Sequence, residues 1–130
     1  MRQPKSQIDL LSNKVIGAAI EVHKVLGPEL LESAYEECMC CELTTAGIAF
    51  KRQVPLDITY KNIKLDCGYR LDIVVEKAII LELKSVESIL PIHEAQILTY
   101  LKLSNLKLGL LLNFNVPYMK SGIRRYANDL

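Results

Sequence analysis

Apolar positions recur every three or four residues through the first 46 positions, and from residue 50 the spacing changes to alternation. Ile8, Leu11, Val15, Ala18, Val22 and Val25 or Leu26 predict an amphipathic helix from Ile8 to Val25. Ser12-Asn13-Lys14 loosens its first turn, and His23 lies near the C-terminal end, where an imidazole suits the helix dipole. Gly27-Pro28 stops this helix and starts the next, expected from Pro28 to Ala46 with Pro28 in its first turn and Glu29 near its positive end. Leu31, Ala34 or Tyr35, Cys38, Cys41 or Glu42 and Thr45 trace its face, and Gly47 is the expected C-cap. Glu32, Tyr35 and Glu36 share a side of that helix, with Glu36 and Glu37 assigned to a solvated acidic stripe.

In the alternating stretch from Phe50 to Asp66, Val54, Leu56, Ile58 and Tyr60 fall on one face. Ile63 and Leu65 follow a Lys61-Asn62 turn. The expectation is a hairpin, with Pro55 confining its strand to an edge or a bulge. The hairpin that organises the chain comes next: Gly68 to Val75, a polar turn at Glu76-Lys77, then Ala78 to Lys84, rich in Ile, Val and Leu. Ser85 to Leu90 is a loop or a short strand extension, Pro91 opens a third helix through about Leu103, and Asn105 ends it. Leu106 to Asn113 has the apolar run of a central strand, and Ile123 to Ala127 is a short terminal element, strand favoured. The fold class that follows is α/β, a mixed central sheet flanked by helices.

Composition narrows this picture little. A chain of 130 residues, 50% apolar and 24% charged, is expected to form a single domain over residues 1–130 with its own core. A net charge of +1 provides no global basic field, so any nucleic-acid surface must be local. Lys51-Arg52 and Arg124-Arg125, with Lys102 and Lys120, are the available cations, although a pair such as Lys51-Arg52 is more often solubilising than functional. No membrane-length apolar run or secretory leader is evident, so the expected protein is cytoplasmic and has no membrane partner. Cys38, Cys40, Cys41 and Cys67 match no zinc or redox spacing and are expected to be buried, reduced thiols.

The chemistry concentrates at the end of the organising hairpin. Alternation puts Glu82 and Lys84 on one face and Leu81 and Leu83 on the other. Whether Asp72 joins them depends on the loop. A two-residue loop at Glu76-Lys77 pairs Asp72 with Leu81 on the wrong face, whereas an odd loop such as Glu76-Lys77-Ala78 sets it opposite Glu82. Directly opposed residues have Cβ atoms about 4.5–5.5 Å apart, where like charges repel unless a proton or cation intervenes. Oxygen-only ligands select a hard divalent ion, magnesium or manganese. The competing reading is three charges at a solvated sheet end. His93, Gln96 and Tyr100 share a stripe of the third helix, facing either solvent or that charged end.

These residues carry a resemblance. Gly68-x-x-x-Asp72, Glu82-x-Lys84 and Gln96-x-x-x-Tyr100 resemble the motifs of the PD-(D/E)xK nuclease superfamily in its RecB-like branch. Leu26-Gly27-Pro28, Leu31 to Glu36, Cys67 to Arg70, Pro91 to Gln96 and Asn113 to Pro117 further resemble the small GxxExxY family, with Glu29 where the first Gly of that name falls. The resemblance implies a restriction-endonuclease-like core and hydrolysis of phosphodiester bonds in nucleic acid, DNA by analogy, with Mg2+ (or Mn2+) as cofactor. It implies that Asp72 and Glu82, with the Leu83 carbonyl, bind the metal, and that Lys84 positions or deprotonates the attacking water. Glu32 is similar to a helical acid that anchors metal-bound water or a second ion, and Gln96 and Tyr100 to a helix motif that orients Lys84 or holds a phosphate. Two other classes stand beside it: a catalytically inactive nuclease-like module that binds nucleic acid or protein, and an assembly domain that forms a homodimer. One small domain without an appended reader implies structure- or end-specific cutting, or a protein partner that supplies targeting.

Overall fold

The computed structural model describes residues 5–130, with side chains from Gln7 onward. Helix α1 (Lys5–Leu26) buries Ile8, Val15, Ala19 and Val22, and α2 (Glu32–Thr45) buries Tyr35, Met39, Cys40 and Leu43, each at helical spacing. Gly47, at φ 71°, closes α2: its amide donates to the Thr44 carbonyl and the Ile48 amide to that of Leu43, both at 3.0 Å.

The start of α2 departs from expectation. Pro28 is not in the helix, because Gly27 (φ 72°) and Glu29 (φ 73°) both take the left-handed conformation and turn the chain before Leu30 and Leu31 extend into Glu32. The Tyr35 hydroxyl holds this turn, donating to the Gly27 carbonyl at 2.6 Å and accepting from the Leu30 amide at 3.2 Å. Its ring stacks on Phe114, with centroids 4.3 Å apart. His23 has a structural contact other than the helix-dipole interaction expected of it: Nε2 donates to the Val116 carbonyl at 2.7 Å.

Five strands form the main sheet in the order β1 (Phe50–Pro55), β4 (Arg70–Val75), β5 (Ile79–Lys84), β6 (Leu108–Asn113) and β7 (Ile123–Ala127). Only β5 and β6 run parallel; the other pairings are antiparallel. The strand expected to run on from Phe50 instead breaks at Leu56, whose side chain is buried. Before the break β1 lies at the sheet edge, where Pro55 is tolerated. After it, β2 (Ile58–Tyr60) and β3 (Ile63–Leu65) form a separate hairpin around Lys61 and Asn62, at φ 47° and 69°.

Helices α1 and α2 cover one face of the sheet, packing on Ile73, Val75, Ile79, Leu81 and Leu83 and on Leu108, Leu110 and Leu112 of β6. Helix α3 (Pro91–Ser104) covers the other, where Leu71, Ile80, Tyr100 and Leu101 make a smaller core with Leu56. It lies directly on β6: a Cβ on Gly109 would stand 2.9 Å from Ile97 Cδ1 and 3.2 Å from Leu101 Cδ1. Pro91 takes the first turn of α3 and Asn105 (φ 59°) ends it, as expected.

The cysteines only partly follow expectation. All four are free; Cys40 is buried, which pushes its thiol up to about 11, Cys38 is half-buried, and Cys41 and Cys67 are exposed. Among the described residues no helix is long and apolar enough to cross a membrane.

Candidate active site

The β4–β5 loop resolves the register. Val75 lies opposite Ile79, Val74 opposite Ile80 and Ile73 opposite Leu81, so Glu76, Lys77 and Ala78 form an odd loop. Glu76 and Lys77 both adopt positive φ, 50° and 54°, and the Ala78 amide returns to the Val75 carbonyl at 2.9 Å. Alternation breaks at the next step, since Leu71 joins the α3-side core while Ile73 faces the other layer. Asp72 still lies beside Glu82, close enough for the two carboxyls to interact, and both carboxyls act on the Tyr100 hydroxyl of α3.

The ladder does not continue to that step. Asp72 Oδ2 accepts the Leu83 amide at 2.9 Å, where the strand pairing would otherwise supply a backbone acceptor. The amide and carbonyl of one strand residue point to the same neighbour, so the Leu83 carbonyl is also directed toward β4 and Asp72. On the outer side of β4, Gln53 stands level with Asp72 at φ 48°, a further irregularity at the same position.

Glu82 is a buried acid in a central strand, 5% exposed. No donor reaches its Oε1. Burial, reinforced by the negative charge and proton-accepting oxygen of Asp72, raises its pKa from an ordinary 4.5 to about 9, while Lys84 pulls the other way. Lys84 is half-buried and makes no ion pair within 4 Å among the described residues, so its amine is available. On α3, Gln96 Nε2 donates to the Tyr100 hydroxyl at 3.0 Å. The Tyr100 hydroxyl titrates above its ordinary value because of burial and the nearby charge of Glu82. Asp72, Glu82, Lys84 and Tyr100, with Gln96 bound to it, therefore converge. His93 does not join them; its Nδ1 accepts the Leu90 amide at 3.0 Å and caps α3.

Glu32 comes to the same strand end from the opposite layer. From the first turn of α2, its Oε2 accepts the Ser85 amide at 3.3 Å, one residue beyond Lys84. It does not complete a three-acid cluster: among the described residues no three His, Cys, Asp or Glu side chains are grouped to hold a metal.

Two residues that hold this end together were not singled out from the sequence. Ser85 Oγ donates to the Leu30 carbonyl at 2.6 Å, tying the α1–α2 turn to β5. Asn113, level with Lys84 on β6 and 2% exposed, accepts the Val86 amide at 3.1 Å and donates to the Val86 carbonyl at 3.0 Å. An amide-bearing residue ending a run of buried leucines was the available signal. The three arginines of the expected basic track, by contrast, are already engaged. Arg52 bonds Glu36 and Glu37, both at 2.7 Å, so these acids are not a free solvated stripe. Arg125 bonds Asp9 at 2.6 Å, and Arg124 donates to the Ser121 carbonyl at 3.1 Å.

A family model described as the PD-(D/E)XK nuclease superfamily matches residues 9–126. The chain belongs to the PD-(D/E)XK nuclease superfamily. The five-stranded mixed sheet between helices is consistent with the restriction-endonuclease-like fold of that superfamily. No curated protein and no solved structure matches the chain. PD-(D/E)XK proteins are in general metal-dependent nucleases, and the site's donor set can be asked whether it suits a metal. Two carboxylates crowd one face, one of them buried with an oxygen that has no donor. An oxygen-only site short of positive charge fits a hard divalent cation.

Proposed function

We propose that this PD-(D/E)XK protein, as a single domain spanning residues 1–130, is a divalent-metal-dependent nuclease acting on DNA. The observation that carries the reading is the buried Glu82 beside Asp72, its Oε1 lacking any donor. Asp72 and Glu82, joined by the Leu83 carbonyl, would hold Mg2+ or Mn2+; Glu32 would anchor water at the edge of the site. When bound, such an ion polarises the scissile phosphate and makes water a better nucleophile. Membership of the GxxExxY subgroup is supported by Glu32 at the α2 start and by Tyr35 locking the turn before it. It is supported too by Glu29, whose φ of 73° is a conformation natural to the glycine of the subgroup name.

Each side chain then has a distinct task. Lys84, an unpaired amine on the face of the two acids, orients the attacking water and offsets phosphate charge. Tyr100, supported by Gln96, presents a hydroxyl to a non-bridging phosphate oxygen. Asp72 spends one oxygen on the Leu83 amide, which fixes its rotamer and leaves the other for the ion. The Ser85 and Asn113 contacts hold the segment after Lys84 so that the amine stays on station.

The test is incubation of the protein with labelled DNA and RNA oligonucleotides in magnesium or manganese. Cleavage that requires the metal and is lost in Lys84→Ala supports the proposal. A folded protein that binds nucleic acid without cutting in either metal would make it an inactive binding module instead.

A further inference from the structure

A groove of about 300 Å³ runs beside the acidic site, with α3 as one wall and Ile58 and Tyr69 as the other. Ile92 and Leu103 line it from α3, and Tyr100 and Gln96 form its end nearest the carboxylates. None of the residues lining it is charged. Tyr69 is 45% exposed, and its ring is tilted 60° to that of Tyr100 with centroids 6.3 Å apart. Ile92 is 68% exposed and Leu103 40%. These are costly side chains to leave in water beside a site that handles phosphates.

We infer that this groove receives an unstacked nucleobase flanking the scissile phosphate, making single-stranded segments the preferred substrate. The inference rests on the nuclease reading for where the phosphate lies. Tyr100 and Gln96 belong to both sites, so a nucleotide whose phosphate meets them has its base directed at the groove or away from it. A duplex would present backbone phosphates to this surface, and those call for lysine and arginine, which the groove lacks. An unpaired base presents an apolar face, which stacks on aromatic walls with little regard to sequence. Arg52 and Arg125, already bound to acids, cannot supply a duplex track without breaking those pairs.

Binding can be read by fluorescence anisotropy in the Lys84→Ala background, with a labelled single strand and its perfect duplex in magnesium. The expectation is tighter binding of the single strand, weakened about fivefold or more by Tyr69→Ala and little changed by Tyr69→Phe. Ala95→Phe, at an exposed helix position, fills the groove and should have the effect of Tyr69→Ala without removing a contact. Equal binding of duplex and single strand, or indifference to both Tyr69→Ala and Ala95→Phe, overturns the inference. A sedimenting dimer that Ala95→Phe dissociates also overturns it, by assigning the groove to a second copy. The two readings fail separately. Metal-dependent cutting of duplex that ignores Tyr69→Ala keeps the nuclease and loses the groove. Tyr69-dependent binding of single strands without cutting keeps the groove and loses catalysis.

Discussion

Glu82 carries most of the electrostatic cost of the site, and its titration has a calculable direction. Its folded pKa, about 9, exceeds the ordinary 4.5, so the metal-free fold is favoured below pH 4.5, where both states hold the proton. Stability falls as pH rises from about 4.5 toward 9, by at most about 1.4 kcal/mol per unit for one proton, and then levels off. Urea melts across that window should show this decline in wild type and a much flatter profile in Glu82→Gln. Because a metal displaces the same proton, divalent-ion affinity should rise with pH over the same interval. Lys84→Ala should lower the cleavage rate by about 10²–10⁴-fold, as expected for a lost proton-handling group, while its melting temperature stays near that of wild type. At this scale the sequence showed Glu82 and Lys84 on one face but left Asp72 open. The deciding residues, Glu76 and Lys77, are not ones whose type announces two positive φ angles. Asn113 and Ser85 were missed because their partners are backbone groups distant in sequence.

Between elements, the turn from α1 into α2 determines where Glu32 sits. Tyr35→Phe keeps the stack on Phe114 but removes a donor and an acceptor from a buried turn, and should cost about 1–2 kcal/mol in denaturant melts. If Glu32 serves the site, the same variant should slow cleavage as well. Glu29→Gly should be neutral or slightly stabilising, since relief of the left-handed strain opposes the greater freedom of the unfolded chain. Gly122→Ala should be strongly destabilising, because its Cβ would overlap the Asn113 carbonyl oxygen. Helix periodicity revealed α1, α2 and α3, yet Gly27-Pro28 misplaced the start of α2 by several residues. A proline suited to a first helical turn is also suited to the turn that the Tyr35 hydroxyl closes, and only the folded contact separates the two. The break at Leu56 was hidden for a similar reason, since its alternation continued across a chain that in fact left the sheet.

Across the whole molecule, the sheet divides labour between its faces. The α1–α2 face holds the larger core, and the α3 face holds a smaller core interrupted by Asp72, Glu82 and Lys84. The sequence pointed to a mixed sheet with central apolar strands and flanking helices; which helix takes which face follows from the parallel β5–β6 pair that α3 crosses over. The charge distribution was not legible, since pairing of Arg52 with Glu36 and Glu37 depends on α2 lying beside β1. With Arg52 and Arg125 paired to acids, single-strand binding should rest on few phosphate contacts and depend weakly on salt, with a log–log slope shallower than about −2 for up to about three contacts.

The most direct measurement is a manganese titration of the purified protein followed by electron paramagnetic resonance. Wild type and Lys84→Ala should each bind the ion at one site, and Asp72→Asn and Glu82→Gln should lose that site while remaining folded. Retention of the same site in both carboxylate variants would contradict the account.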